Sequence, residues 1–205
     1  MNLKNTNSIW ISGLIEENFI YDYSKYGEIF YSGKIAVPRL SSYIDKIPVT
    51  VPVHLMDSGM DYTDKCVEVK GQYRSFPLYQ KGRKHLCMYV FAKELIIVNS
   101  GPDQVANNVV ELIGFIVKPV TYRITPLGRK VADLLVAVER LPGETDYLHC
   151  IAWGSNADSV SAAEPGTRIQ LRGRIQSREY EKQIGEASEK RTAYEVSISD
   201  LDILI

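Results

Sequence analysis

The two halves of this chain repeat each other, and that constrains its fold more than any other feature. Ser8-Ile9-Trp10-Ile11-Ser12-Gly13-Leu14-Ile15 reads like Val109-Val110-Glu111-Leu112-Ile113-Gly114-Phe115-Ile116, with Gly13 falling on Gly114. At the same offset Gly27 falls on Gly128, Ala36-Val37 on Ala137-Val138, and Arg39-Leu40 on Arg140-Leu141. One residue further out of step, Val67-Glu68-Val69-Lys70-Gly71 matches Ile169-Gln170-Leu171-Arg172-Gly173, and Ser75 matches Ser177. Matches kept in order along most of both halves point to a duplicated unit. The turn formers Asn99-Ser100-Gly101-Pro102-Asp103 make a natural linker between an N-terminal unit, residues 1–99, and a C-terminal unit, residues 104–205.

Each half reads as strand. Ile169, Leu171 and Ile175 alternate with Gln170, Arg172 and Arg174, and Tyr194, Val196 and Ile198 alternate with Glu195, Ser197 and Ser199. Val131 to Val138 is apolar on both faces, as a central barrel strand is. One short helix is expected near Asn156 to Ala162, capped by Ser155 or Asn156 and ended before Pro165-Gly166. Five strands with a helix between the third and fourth is the order of an OB-fold, a five-stranded Greek-key barrel. The fold expected is therefore all-β, with two such barrels in tandem. In the first half Pro48 and Pro52 are expected to make the third strand an edge or irregular, and the stretch Met56 to Asp64 reads as a vestigial helix.

Strand parity then gathers a particular chemistry. From Arg168 the even positions read Gln170, Arg172, Arg174, Gln176, Arg178 and Tyr180, which share a face if the strand keeps its period of two. Tyr147, His149, Ile151 and Trp153 share one side of the preceding strand, and the small apolar Leu148, Cys150 and Ala152 share the other. Guanidinium groups suit the phosphates of an unpaired nucleic-acid strand, and rings suit its bases. The same pattern also fits a solvated arginine face with its rings under a neighbouring subunit.

Further motifs set the balance. Asn108-Val109-Val110-Glu111-Leu112-Ile113-Gly114, Arg123-Ile124-Thr125-Pro126-Leu127-Gly128, Tyr147-Leu148-His149-Cys150-Ile151-Ala152-Trp153-Gly154 and Gly166 through Tyr180 follow in order. From about Asn108 to Leu201 the chain resembles the bacterial single-stranded-DNA-binding protein (SSB) family, to which primosomal replication protein N is related. The resemblance implies stacking on Tyr147, Trp153 and Tyr180, with His149 on the same face. It implies phosphate contacts from Arg123, Arg172, Arg174 and Arg178. The family often carries another tryptophan soon after the arginine matching Arg140, but Leu141-Pro142-Gly143 follows here. In the first half, Tyr79, near the position of Tyr180, and the cations Lys70 and Arg74 are the corresponding candidates. The implied partner is single-stranded DNA, bound with little sequence preference during replication, recombination or repair. The implied assembly is a homodimer presenting four barrels. Family members usually continue into an acidic tip that recruits replication enzymes. The sequence given ends at Ser199-Asp200-Leu201-Asp202-Ile203-Leu204-Ile205, so recruitment by such a tip is not expected. An RNA-binding barrel and a primosome-type protein-interaction module remain alternatives.

Composition narrows the rest. With 24 basic and 25 acidic residues the net charge is −1, which excludes binding by bulk positive charge but not by a local cationic track. The 3 cysteines form no Cys-x-x-Cys, so a disulfide framework and a cysteine zinc site are not expected. No apolar run is long enough to span a bilayer, and the first residues do not read as a secretory signal. A cytoplasmic, nucleoid-associated protein is the expectation. The sequence contains no phosphate-binding or dinucleotide glycine motif, and His54, His85 and His149 are scattered. The chain is expected to be no enzyme and to need no metal or cofactor.

Overall fold

A computed structural model describes residues 6–80, 83–99, 107–141, 143–184 and 187–204. The linker expected at 99–103 lies outside them, apart from Asn99. The first half comprises β1 (Asn7–Ile15), β2 (Ile20–Lys25), β3 (Glu28–Pro38), β4 (Ile44–Pro52), β5 (Cys66–Gln80) and β6 (Arg83–Ile97). The second comprises β7 (Asn108–Ile116), β8 (Thr121–Ile124), β9 (Lys130–Leu141), β10 (Glu144–Trp153), α1 (Ser155–Val160), β11 (Arg168–Ile184) and β12 (Ala187–Leu204).

Each half closes on itself. In the first, β1 pairs with β3, β3 with β4, β4 with β6 in parallel, β6 with β5, and β5 with β1. The second repeats this as β7, β9, β10, β12, β11 and back to β7, again with one parallel contact, between β10 and β12. Both rings have the strand order of the OB-fold. Each carries one strand beyond the expected five, β2 or β8, paired only to the edge of β3 or β9.

The expected helix is present as Ser155–Val160, but Gly154 caps it with a φ of 55°, and neither Ser155 nor Asn156 is the cap. The stretch Met56 to Asp64 holds no helix; a single 3-10 turn, Val53–Leu55, precedes it. The third strand of the first half is continuous despite its prolines. It pairs with β3 along its whole length, while its parallel ladder to β6 is confined to Val49 and Thr50, between Pro48 and Pro52.

The apolar alternation explains the core. Ile9, Ile11, Ile15, Val67, Val69 and Val90 fill the first barrel, and Val110, Leu112, Ile116, Leu134, Leu148 and Ile169 the second. One repeated glycine pair, Gly13 and Gly114, marks where a strand changes partner. The far edge of β1 pairs with β7 over Asn7–Ile11 and with β3 from Leu14, and Gly13 lies at the switch. A Cβ at Gly13 would collide with the carbonyl of Ala36, and one at Gly114, the equivalent switch in β7, with that of Ala137.

That partner switch joins the barrels. β1 and β7 pair antiparallel with Ile9 opposite Val110, so residues equivalent under the repeat face each other about a local two-fold. Two reciprocal clamps reinforce the seam. Asp45 of β4 is buried, receives hydrogen bonds from Arg39 (2.6 Å) and takes the backbone N–H of Ser177 (2.6 Å) and its hydroxyl (2.8 Å). Asp146 of β10, equally buried, is held by Arg140 Nε (3.0 Å) and takes the backbone N–H of Ser75 (2.7 Å). Each barrel thus grips the hairpin arm, β5–β6 or β11–β12, of the other. Burial would raise the Asp45 pKa, but Arg39 and the two donors of Ser177 outweigh it and hold the carboxyl below its ordinary value.

Candidate nucleic-acid interface

Parity on β11 holds as the sequence predicts. Ile169, Leu171, Gly173, Ile175 and Ser177 point inward, while Arg168, Gln170, Arg172, Arg174 and Arg178 are exposed. The register with β12 shifts after Arg172, where a bulge lets the strand bend around the barrel. That curvature divides the stripe. Arg172 faces the seam, 3.6 Å from Glu111, in a groove shared with Trp10 and Lys70. Lys70 occupies the position equivalent to Arg172; it pairs with Glu94 at 3.4 Å and lies 5.8 Å from the Trp10 ring. Arg174 is paired with Ser197 of β12, and Gln176 with Glu195.

The second face is built on β10, β12 and β11. Leu148, Cys150 and Ala152 are buried, and Tyr147, His149 and Trp153 are exposed, as alternation requires. Ile151 departs from the pattern: it shares the outward side but is buried. Trp153 leans over β12, its indole N–H donating to the Ser197 hydroxyl at 3.2 Å, which brings the ring beside the Arg174 pair. Tyr147 and Trp153 are six residues apart on β10, about 20 Å, a distance several stacked nucleotides could follow. Crowding by protein, then the charge of Lys118, lowers the His149 pKa, so at neutral pH it is an uncharged flat ring. Arg178 lies 5.8 Å from the Tyr180 ring, and Tyr180 stands opposite Arg191 of β12. Arg123 on β8 is 3.2 Å from Asp133, an exposed pair that a phosphate can displace at little cost. Arg129 and Lys130 line a shallow groove with Trp153 and went unnoticed in the sequence, though they directly follow the Thr125-Pro126-Leu127-Gly128 turn.

The first barrel presents the corresponding face with different residues. The positions of Tyr147, His149, Ile151 and Trp153 are held there by Lys46, Pro48, Thr50 and Pro52, none of them aromatic. Rings stand instead on the neighbouring strands. Phe30 of β3 occupies the place of Val131, and Phe91 of β6 that of Ser197, with centroids 6.0 Å apart. Tyr23 stacks on Phe30 at 4.7 Å, and the Arg74 guanidinium lies 3.7 Å from the Phe91 ring centroid. Phe76 and Tyr89 continue the cluster, 5.7 Å apart. This grouping is invisible to motif reading because its members are dispersed over four strands. Burial lowers the Arg74 pKa, and its side chain also bonds Gln72 at 2.7 Å. Tyr79 is exposed, but alternation puts it on the side of β5 opposite Lys70 and Arg74; Leu78 occupies the position of Tyr180. Among the described residues no cluster of three or more His, Cys, Asp or Glu side chains could hold a metal. Among the described residues no helix is long and apolar enough to cross a membrane.

The whole fold matches a crystal structure of the single-stranded DNA binding protein from Thermus aquaticus with a TM-score of 0.72 and 19% identity, covering 97% of this chain and 93% of that one. In sequence, the chain is 39% identical over 87 residues to single-stranded DNA-binding protein 1 of Streptococcus pyogenes, spanning 39% of this chain and 66% of that protein. It is 36% identical over 85 residues to single-stranded DNA-binding protein 1 of Staphylococcus aureus, spanning 38% and 51%. The chain thus spans from about half to just under two thirds of the length of these relatives. The profile of the single-strand binding protein family matches residues 107–204, the whole of the second barrel. It is over that second barrel that the chain is similar to the single-strand binding protein family.

Proposed function

We propose that this protein binds single-stranded DNA with little sequence preference and no catalytic step, in the cytoplasm at the nucleoid, during replication, recombination or repair. The observation that carries the reading is the outward face of β10–β12–β11, where Tyr147, His149, Trp153 and Tyr180 lie among Arg123, Arg174 and Arg178. Rings that stack on any base and cations that follow any backbone account for affinity without sequence readout. The relatives named above carry single-stranded DNA binding in their names. Arg172 and Lys70 would contribute at the seam and Arg74 on the first barrel, whereas Tyr79, on the other side of β5, would meet the strand only beyond that face. We further assign residues 1–99 and 104–205 as its two units.

The seam also supports a homodimer carrying four barrels. Trp10, 39% exposed, lies between the Lys70–Glu94 and Arg172–Glu111 pairs, a ring flanked by both signs of charge that suits a second copy. Sedimentation velocity should then give a dimer for the wild type and a monomer for Trp10→Arg.

A fluorescence titration with poly-dT tests the main reading. Quenching of tryptophan emission and a steep loss of affinity with salt are expected, and Trp153→Ala with Tyr180→Ala should weaken binding while the fold persists. Salt-independent binding, or normal poly-dT affinity in both variants, would remove the assigned face. Tighter binding to oligo-U than to oligo-dT in one buffer would change the ligand to RNA.

A further inference from the structure

Between the two hairpin arms lies a cleft of about 730 Å³, within the range of small-ligand sites. It is bordered by outward-facing residues of both barrels: His149 and Tyr180 from the second, Pro48, Thr50, Phe76 and Tyr89 from the first. The cleft therefore lies between the face that carries Tyr147 and Trp153, which reaches it through His149, and the first-barrel cluster, which reaches it through Tyr89 opposite Arg74.

The walls of the cleft differ although the arms are equivalent under the repeat. The β5–β6 arm supplies Phe76, Leu78, Leu86, Cys87 and Met88, and the β11–β12 arm supplies Tyr180, Glu189, Arg191 and Thr192. Arg191 is paired with Glu189 at 2.8 Å, and Asp22 stands at the first-barrel end, so the cleft has no surplus of fixed positive charge. Its ring edges and apolar wall suit bases better than phosphates. Phe76 is 45% exposed and meets Tyr89 edge-on at 5.7 Å, which leaves a face of it open.

We propose that one unpaired strand crosses from barrel to barrel through this cleft, inserting bases against Phe76 and Tyr180, and continues onto Tyr23 and Phe91; Phe30, 6% exposed, is covered by Tyr23 and backs the path without meeting a base. The proposal rests on the reading that the protein binds an unpaired strand, and adds its path and a second set of stacking residues.

The test is a length series. With the full chain, Phe76→Ala and the milder Phe76→Leu, which keeps an apolar group at the site, are titrated with oligo-dT of about 8 and about 30 nucleotides, the short one within the span of a single barrel. Both variants should lose about tenfold in affinity for the long oligomer, keep wild-type affinity for the short one, and show the same loss at low and high salt, because stacking rather than ion pairing is removed. Long oligomers bearing 5-iodouracil should crosslink to Phe76 or Tyr89 as well as to the second barrel. Wild-type affinity for the long oligomer in both variants, with crosslinks confined to the second barrel, overturns the path; so does a cleft that takes a peptide instead, because it gives that same result. A wild-type protein that binds neither oligomer sinks the underlying reading, and that outcome is distinct from the first.

Discussion

The two barrels share a ring of five strands, a partner-switching glycine and a cross-barrel clamp, yet they build their outward faces differently. In the second barrel the large ring stands on the third strand: Trp153 leans across β12 toward Ser197, over a small Val131 on the other side. In the first barrel that position is Pro52, and aromatic rings stand on the two flanking strands, Phe91 on one and Phe30, buried under Tyr23, on the other. A sheet face needs rings in a region of space and is indifferent to which strand supplies them. The contrast teaches that interior and seam residues are held to their repeat positions by packing, whereas face residues are held only to a place on the surface.

Perturbing what the barrels share should have the largest effect. Asp45→Asn leaves Arg39 half-enclosed without its carboxylate, and a loss of about 3–5 kcal/mol is expected by urea denaturation. A matching loss in the second barrel's equivalent, Asp146→Asn, would make the clamps true counterparts; a loss confined to one barrel would break the comparison. The pH dependence follows from the sign of the Asp45 shift. Its folded pKa lies below the unfolded value, so the stabilisation is present above about pH 4 and lost as pH falls through the folded pKa. Asp45→Asn should flatten that acid limb.

Next come the differing faces. Trp153→Ala should cost about 1–3 kcal/mol of oligo-dT affinity, while Pro52→Ala at the equivalent position, which carries no aromatic ring, should change affinity little. Equal losses from the two would show that the faces do not differ in the way described. Replacing Arg174 and Arg178 by Gln should lower the slope of log affinity against log salt by about 0.7 for each phosphate contact removed. Arg74→Gln should lower it less, because its guanidinium is already committed to Phe91 and Gln72.

The smallest effect concerns an imperfection of the first barrel. Tyr73 is fully buried, and its hydroxyl has no hydrogen-bond partner among the described residues; the equivalent residue in the second barrel is Ile175. Tyr73→Phe should be neutral or stabilise by about 1 kcal/mol in thermal or urea unfolding, and a clear destabilisation would reveal a partner for the hydroxyl.

Much was legible before any coordinates. Strand parity placed Arg174, Arg178, Tyr147 and Trp153 outward and Leu148 and Cys150 inward, because alternation is a local property of extended backbone. The repeat announced two like units, and one of its matched glycine pairs, Gly13 and Gly114, fell where strands change partners. The extra strands β2 and β8 were missed because, at 6 and 4 exposed residues, they are too short for an alternation to stand out and bury nothing that would mark one face. Tyr79 was aligned with Tyr180 by proximity in sequence, and a shift of one residue turns a strand side chain to the other face.

What the chain determines by itself is therefore local: which residues extend, which side they take, and that the pattern occurs twice. The tertiary structure decided where those sides point once the barrels curve. It separated Arg172 from Arg174, set Asp45 against Ser177 and Asp146 against Ser75, and gathered Tyr23, Phe30, Arg74 and Phe91 from four strands. Period-two alternation tells one face of a strand from the other, but it carries no information about bend or about which distant strand lies alongside, and those were settled only when the rings closed.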